Sequence, residues 1–239
     1  MRVALYNIQE HGRGRLDAVA DVLCSIDADA VALVEADEAS AGTLARALGM
    51  EAVCGRSNAL PYHPAWLTRL PIAGARDHRP PELAKTLLEL DAGGLRLFVT
   101  HLASSHEVPR YPQEREIEAV LRVLRRERRP HLLLGDLNAL GAEDPVGQPP
   151  PGVEPLGQAI PGAPREIIRR LVESGYVDCY RALHRAEWGF TYPADAPWLR
   201  LDYAFASEAL AERIARCDVV TAPGTERASD HLPLFVELR

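Results

Sequence analysis

The sequence has few cysteines, and it lacks any long hydrophobic run. Its four cysteines are spread over 239 residues without a C-x-x-C pair, which argues against a zinc ribbon and a thioredoxin-type motif. No window approaches the roughly 18 consecutive apolar residues of a membrane-spanning helix. The amino-terminal residues enter a strand-like segment without the apolar stretch of a signal peptide. These absences predict a cytoplasmic protein with reduced thiols.

An excess of positive charge is also lacking. Lys and Arg number 27 against 34 Asp and Glu, so the formal net charge is −7. A protein without a global attraction to polyanions has to concentrate positive charge locally to bind nucleic acid. The charge balance therefore disfavours a dedicated DNA-binding protein. It does not exclude a nuclease, because a bound metal ion can supply charge at one site.

Strand-like and helix-like patterns alternate along the chain. Apolar runs at Arg2–Tyr6 and Ala30–Val34 flank a helical repeat over 16–26. Lys85–Leu90 and Leu95–Thr100, separated by Asp-Ala-Gly-Gly, predict a hairpin. The remaining predicted elements are a helix around 117–124, a strand at His131–Leu134, a helix at Glu166–Ser174, a strand at Leu201–Ala206, a helix capped by Ser207, and strands at Cys217–Thr221 and Leu234–Leu238.

Residues 144–164 hold seven of the 19 prolines and cannot continue a helix or a central strand. We interpret this stretch as one long surface loop inside a single domain of residues 1–239, because motifs on both sides of it belong to one site. Loops of this length are often lids or binding loops. A solvated excursion without a role is an equally weighted alternative.

Polar side chains border or interrupt the apolar segments. Asn7, Glu35, His101 and Asp136 with Asn138 follow such segments, Asp202 interrupts one, and Asp230 with His231 precedes the last one. One such residue is ordinarily a turn former. Strand ends at one edge of an α/β sheet, however, form the usual ligand crevice. The set therefore predicts one acidic site, and carboxylate and amide ligands without clustered cysteines favour Mg²⁺ or Mn²⁺ over zinc.

These segments also resemble a known motif set. In chain order they are Tyr-Asn-Ile at 6–8, Val-Glu at 34–35, Thr-His-Leu at 100–102, Gly-Asp-Leu-Asn at 135–138, Arg-Leu-Asp-Tyr at 200–203 and Ser-Asp-His at 229–231. Together they resemble the endonuclease/exonuclease/phosphatase superfamily, which includes DNase I, AP endonucleases, sphingomyelinases and inositol polyphosphate phosphatases. The Tyr-Asn-Ile-x-x-x-Gly opening is most similar to its bacterial branch of metal-dependent hydrolases.

The resemblance implies an α/β fold, a DNase I-like four-layer sandwich of two packed, mostly antiparallel mixed β-sheets flanked by helices, with the site at one end. It also implies in-line attack of an activated water on a phosphate ester, with Mg²⁺ or Mn²⁺ as cofactor. A phosphoryl transition state requires a metal on its oxygens, hydrogen-bond donors around it and a base for the attacking water.

The resemblance further implies a role for each site residue. Glu35 would be the principal metal ligand, with Asn7 near the metal and Asp230 assisting. His231 would act as the base or contact the phosphate, and Asp202 would hold its tautomer.

Four more residues complete the implied set. Asp136 would orient the nucleophile or act as the base. Asn138 would donate a hydrogen bond to the phosphate or to the attacking water. His101 would donate to a phosphate oxygen or protonate the leaving group. Thr191 would support the carboxylates or bind substrate, and a simple turn hydroxyl is an equal alternative.

Three functions follow from these residues. The leading hypothesis is a metal-dependent phosphodiesterase or phosphatase acting on a small molecule or a lipid headgroup, with no protein partner predicted. The alternative is a DNA or RNA nuclease, including one like an AP endonuclease. The candidate nucleic-acid-binding surface comprises Arg122, Arg125, Arg126, Arg128 and Arg129. Glutamate is interspersed among these arginines, so the segment is better explained as a solvated helix face. An inactive binding module is disfavoured, because the catalytic set has no gap.

Overall fold

The computed structural model describes residues 1–104, 109–149 and 165–239. Over these ranges the chain forms twelve β-strands in two six-stranded sheets, together with six α-helices. Residues 150–164, most of the predicted proline-rich loop, lie outside the described residues. Within the described ranges no helix is long and apolar enough to cross a membrane.

The first sheet contains both chain-terminal strands. Its members are β1 (Arg2–Asn7), β2 (Ala30–Ala36), β3 (Glu51–Cys54), β4 (His63–Thr68), β11 (Ile214–Val219) and β12 (Leu234–Leu238). They lie in the order β11-β12-β1-β2-β4-β3. Strands β1 and β2 are parallel, and the other pairs are antiparallel.

The second sheet is built from the middle of the chain. Its members are β5 (Ile72–His78), β6 (Leu87–Ala92), β7 (Leu95–His101), β8 (His131–Asp136), β9 (Val177–Asp178) and β10 (Asp202–Ala206). They lie in the order β5-β6-β7-β8-β10-β9, with only β7 and β8 parallel. The β6–β7 hairpin was predicted; Gly93 and Gly94 both have positive φ, as a two-residue turn of this kind requires.

Helices cover the outer face of each sheet, except that the short helix Cys179–Leu183 packs Cys179 and Tyr180 into the cluster between the sheets. They are α1 (Leu16–Ile26), α2 (Glu38–Leu48), α3 (Gln113–Leu124), α4 (Arg165–Glu173), α5 (Cys179–Leu183) and α6 (Thr225–Ala228). Because side chains alternate along a strand, Val3 and Leu5 of β1 face the second sheet, whereas Ala4 and Tyr6 pack under α1 and α2. A third cluster joins the second sheet to α3 and α4. The predicted four-layer arrangement of two mixed sheets flanked by helices is confirmed.

Each sheet contributes one parallel strand pair to the same end of the sandwich. Asn7 pairs with Val34, the neighbour of Glu35, and His101 pairs with Asp136. Antiparallel β10 begins opposite Asp136, with Asp202 as its partner. The strand register alone therefore brings most of the predicted polar residues to one end.

Ser207 is the N-cap residue, as predicted, but its side chain does not cap the helix. The segment that follows is a 3-10 helix, Glu208–Arg213, and no side-chain cap bond is made at Ser207. The hydroxyl of Ser207 instead accepts a hydrogen bond of 3.0 Å from the backbone amide of His131. The serine thus ties this turn to the start of β8.

Candidate active site

Asn7 joins two carboxylates that come from different sheets. Its side-chain amide donates to Oε1 of Glu35 at 3.1 Å and to Oδ2 of Asp136 at 3.0 Å. The amide oxygen accepts from the backbone of Gln9 at 3.0 Å, so the side chain cannot turn over without losing all three bonds. Asn7 is 1% exposed, which makes these bonds hard for water to replace.

Two site residues occupy the left-handed region of backbone conformation. Glu35 has φ of 58° and Asn138 has φ of 46°. Asparagine tolerates this region, but a glutamate there is uncommon and is kept only when its surroundings impose it. The other oxygen of Glu35 accepts from the backbone of Glu10 at 2.9 Å, which is one such constraint. The turn at Glu35 directs its half-buried carboxylate back towards Asn7.

Asp202 and His231 form a buried pair beside Asp136. Nδ1 of His231 lies 2.8 Å from Oδ2 of Asp202, and its Nε2 lies 3.7 Å from Oδ2 of Asp136. Burial alone would lower the pKa of His231, but the charges of Asp202 and Asp136 outweigh it and raise that pKa. Burial raises the pKa of Asp136, against the charge of His231. The arrangement therefore holds a histidine cation between two carboxylates.

His101 and Asn138 lie on the other side of Asp136. Nε2 of His101 is 3.5 Å from Oδ2 of Asp136 and 3.1 Å from Nδ2 of Asn138. Burial, then the charges of Lys85 and His231, keep the pKa of His101 well below its ordinary value, so the ring is neutral at neutral pH. Its Nδ1 is buried and has no hydrogen-bond partner among residues 1–104, 109–149 and 165–239.

Asp230 and Thr191 flank this centre in different ways. Burial raises the pKa of Asp230, and the nearby negative charge of Glu35 adds to the effect, so the two carboxylates are close enough to interact. Thr191 is fully buried, and its hydroxyl accepts from the backbone amides of Leu201 at 3.1 Å and Asp202 at 3.3 Å. Thr191 therefore supports the backbone of the carboxylate-bearing strand.

Two contacts at the site were not anticipated from the sequence. The hydroxyl of Ser229 donates to the backbone oxygen of Asn7 at 2.6 Å and accepts from the amide of His231 at 3.3 Å. The ring of Tyr192 packs on that of His231 with centroids 4.8 Å apart. Both residues belong to motifs that the sequence singled out, but a motif does not show which neighbour a hydroxyl or a ring will meet.

The donor atoms fit a hard divalent cation. Side-chain atoms of Asp136, Asp202 and His231 lie within 4.8 Å of one another, but a protonated His231 has no lone pair for a metal ion, so the two carboxylates are the ligands that this cluster offers. Oδ1 of Asp202 is buried and has no hydrogen-bond partner within the described ranges. Glu35 adds carboxylate oxygens next to Asp136, and the amide nitrogen of Asn7 holds the two carboxylates together. Oxygen-rich sites without thiolates suit Mg²⁺ or Mn²⁺. The grouping around Asp202 had not been predicted as a metal position, because spacing along the chain does not show which carboxylates converge.

The chain matches one protein family over most of its length. A sequence model of the Endonuclease/Exonuclease/phosphatase family matches residues 4–231. The chain belongs to this family. Its members are hydrolases acting on phosphoester bonds, which is the chemistry implied by the strand-end motifs. No curated protein matches the chain.

Solved structures share the fold of this endonuclease/exonuclease/phosphatase protein along its full length. An AP endonuclease from Archaeoglobus fulgidus is 18% identical, with a TM-score of 0.78. A 3′ phosphatase from Neisseria bound to a product DNA hairpin is 19% identical, with a TM-score of 0.76. For each, the alignment covers 100% of this chain and 99% of the other. A family member from Beutenbergia cavernae is 20% identical with a TM-score of 0.70, over 100% of this chain and 71% of its own.

Proposed function

We propose that this protein is a divalent-metal-dependent phosphodiesterase or phosphatase whose substrate is a small phosphate ester. The observation that carries the proposal is the position of Asp136. Its Oδ2 accepts a hydrogen bond from the side-chain amide of Asn7, which also donates to Glu35. The same oxygen lies 3.7 Å from Nε2 of His231, whose other ring nitrogen binds Asp202. One carboxylate thus joins an oxygen-rich cation site to a histidine cation, and hydrolysis at a phosphate needs both kinds of charge.

Glu35, Asn7 and Asp230 would hold the metal ion, with Asp136 at its edge. The ion would polarise a phosphate oxygen and neutralise charge as it develops in the transition state. Each of the three residues comes from the end of a strand or from the loop before β12. The oxygen of Asn7 accepts from the backbone amide of Gln9, so Asn7 would ligate the ion only after its amide turns over.

Asp136 is the better candidate for the base that accepts a proton from the attacking water. Burial raises the pKa of its carboxyl, and a carboxylate of raised pKa is a stronger base. His231 carries a proton at neutral pH because its pKa is also raised, so it suits a contact to phosphate oxygen. Asp202 fixes the orientation of that ring through Nδ1.

Asn138 and His101 would complete the phosphate site. Nδ2 of Asn138 donates to the backbone oxygen of Leu102 at 3.0 Å and faces Nε2 of His101. A hydrogen bond from Asn138 to substrate would replace one of these contacts. Such an exchange costs little, because the phosphate is the stronger acceptor.

A small substrate agrees with the charge distribution. Three of the five arginines at 122–129, the densest basic run, bind neighbouring side chains; only Arg122 lies in α3, so the run is not the helix face that the sequence predicted. Arg122 pairs with Glu82 at 2.7 Å, Arg129 pairs with Asp91 at 3.1 Å, and Arg125 donates to Ser174. They form no continuous track for a polyanion. The site itself carries the charge that one phosphate requires.

A nuclease is the second candidate. The Neisseria phosphatase of the same fold is bound to a DNA hairpin, and the Archaeoglobus protein is an AP endonuclease. Both proteins are less than 20% identical to this chain, so their similarity does not show that this chain acts on the same substrates. A direct comparison of substrates separates the two candidates.

The test uses purified protein with Mg²⁺, with Mn²⁺ and with EDTA. The substrates are an aryl phosphodiester, an aryl phosphomonoester, a duplex oligonucleotide and an abasic-site duplex. We expect metal-dependent hydrolysis of a small ester, with kcat/KM above that for either duplex. Asp136→Asn, purified identically, should lose at least about 10²-fold, since a general base contributes that much or more. Activity equal in Asp136→Asn, or none on any substrate, would refute the proposal, and faster cleavage of a duplex would establish the nuclease.

A further inference from the structure

The first turn of α3 carries two deeply buried polar side chains. Gln113 is 4% exposed and Glu116 is 0% exposed. Positions three apart lie on the same helix face. Glutamate is almost never fully buried without partners, so this face has a purpose beyond apolar packing. Neither side chain contacts Asp136, Asp202 or His231. Both bind the backbone of segments that hold other site residues.

Glu116 binds the backbone just before β6 and just after β7. Its Oε1 accepts the backbone amide of Ala84 at 2.9 Å, and its Oε2 accepts that of Ala103 at 2.8 Å. Ala103 lies two residues beyond His101. A carboxylate with both oxygens engaged leaves no freedom for the backbone that it holds. The segment leaving His101 is therefore fixed to α3.

Gln113 makes the corresponding contact to the end of β8. Its Nε2 donates to the backbone oxygens of Asn138 at 3.0 Å and Leu137 at 3.3 Å. Asn138 is in the left-handed region, where small changes in the backbone redirect the side chain. Gln113 thus fixes the two peptide groups that flank the Cα atom of Asn138 to the same helix turn.

The two anchored segments meet at the site. Nδ2 of Asn138 donates to the backbone oxygen of Leu102 at 3.0 Å and lies 3.1 Å from Nε2 of His101. The carbonyl partner identifies this atom as the amide nitrogen, so Nε2 of His101 is the acceptor of the second bond. A neutral ring that accepts at Nε2 carries its proton on Nδ1. Glu116 holds Ala103, two residues from His101, His101 meets Asn138 through its ring, and Gln113 holds the backbone of Asn138. All four residues are therefore linked.

We propose that Gln113 and Glu116 are positioning residues, which hold the ends of β7 and β8 so that Asn138 fixes the tautomer of His101. The kinetic consequence rests on the proposed function, because His101 and Asn138 must then act on a phosphate. The tautomer itself does not depend on that activity. A purely structural role would change stability and leave the ring unaffected.

The test compares Gln113→Leu, Glu116→Gln and the control Glu114→Gln. Gln113→Leu keeps the size of the side chain and removes both donors. Glu116→Gln keeps the shape and replaces one acceptor oxygen with a donor. Glu114 is exposed in the same turn, so its variant matches Glu116→Gln in charge and helix propensity. The measurements are ¹⁵N chemical shifts of the His101 ring and steady-state kinetics on the small ester that wild type hydrolyses.

We expect the ring of His101 to change from one tautomer to a mixture of the two in both buried variants. We also expect kcat to fall by about 10-fold to 100-fold, the loss that follows displacement of a reacting group by about 1 Å, with little change in KM. The control should match wild type in both measurements.

An unchanged ring in folded Gln113→Leu would overturn the inference, as would equal effects in Glu114→Gln. If Glu116→Gln does not fold, Gln113→Leu decides alone. Loss of the folded state in both variants also counts against it, because the side chains would then stabilise the fold rather than the site. A wild-type protein without hydrolase activity would refute the proposed function, and the ring measurement would still test the inference.

Discussion

Single residues at this site are held by the protein before any ligand arrives. Glu35 keeps a left-handed backbone that glutamate rarely adopts, and such conformations cost on the order of 1–3 kcal/mol. Hydrogen bonds from Asn7 and from the backbone of Glu10 oppose that cost. The carboxylate is therefore fixed in place, and a metal ion that binds it does not have to order a free side chain.

Replacing Glu35 by glutamine tests its assignment as the metal ligand. Glutamine has the shape of glutamate and is equally strained in the left-handed backbone region, so Glu35→Gln changes only the charge. We expect the affinity for Mg²⁺ to fall by more than about tenfold, since even groups that only support a ligand contribute that much. Titration calorimetry on the purified variant measures it.

Glu38→Gln is the matched control, because Glu38 is exposed at the start of α2. It removes the same charge three residues away and should bind Mg²⁺ as wild type does. Equal affinities in wild type and Glu35→Gln, with both proteins folded, would remove Glu35 from the metal site.

At the level of one element, α3 combines two tasks on one face. Its apolar residues, Ile117 and Val120 among them, pack against the second sheet, while Gln113 and Glu116 bind backbone at the site. Burial raises the pKa of Glu116 from 4.5 to about 7, against the two backbone amides and the charge of Lys85. The helix thus carries a carboxyl group that binds its proton more tightly in the folded protein than in the unfolded chain.

The raised pKa of Glu116 predicts how its contribution to stability depends on pH. That contribution is complete below the unfolded pKa of 4.5 and is lost as the pH rises through the folded value of about 7. Glutamine does not titrate. The melting temperature of Glu116→Gln, relative to wild type, should therefore increase between about pH 5 and about pH 8, by on the order of 5 °C.

Calorimetric melting of both proteins across this pH range, with Glu114→Gln alongside, provides the measurement. The melting temperature of Glu114→Gln should change with pH in the same way as that of wild type. A constant difference between Glu116→Gln and wild type from about pH 5 to about pH 8 would show that Glu116 does not titrate there.

Elements with strong periodicity could be predicted from the sequence, and elements without it could not. Strands β1, β2 and β8 are continuous apolar runs that end in a polar residue, and α1 repeats its apolar residues at helical spacing. Helix α2, with its many alanines, and strands β3 and β5 were not assigned. The burial of Glu116 was not predicted, because its carboxylate accepts from the amides of Ala84 and Ala103, which no local pattern reveals.

At the scale of the whole molecule, the sequence predicted the layers and the end of the sandwich that holds the site. It did not predict that β12 would lie between β11 and β1, since strand order depends on contacts between distant parts of the chain. The same limit applied to the site. Its members could be identified as strand-end residues, but the central position of Asp136 depends on how the two sheets meet.

The distribution of charge over the whole molecule predicts a weak response to salt. A nuclease that neutralises several phosphates of a duplex loses affinity with a log–log slope of about −0.9 per phosphate. For a small ester held at one phosphate, we expect the slope of kcat/KM against salt to be no steeper than about −1. Steady-state rates over a tenfold range of KCl at fixed Mg²⁺ measure this slope.

A second measurement under the same conditions uses the duplex oligonucleotide. A slope several times steeper, together with efficient cleavage of that duplex, would show that this acidic protein has a polyanion track and would favour the nuclease. A shallow slope on both substrates would agree with recognition of a single phosphate.

The place of β12 inside the first sheet has a consequence for how the protein is made. Asn7 and Glu35 leave the ribosome early, but β1 lacks one of its two neighbours until residues 234–238 have emerged. His231 lies just before that strand. The growing chain therefore has no complete site until these residues have been made, and we expect products terminated before them to be inert. Hydrolysis becomes possible only when the last strand enters between two that formed before it.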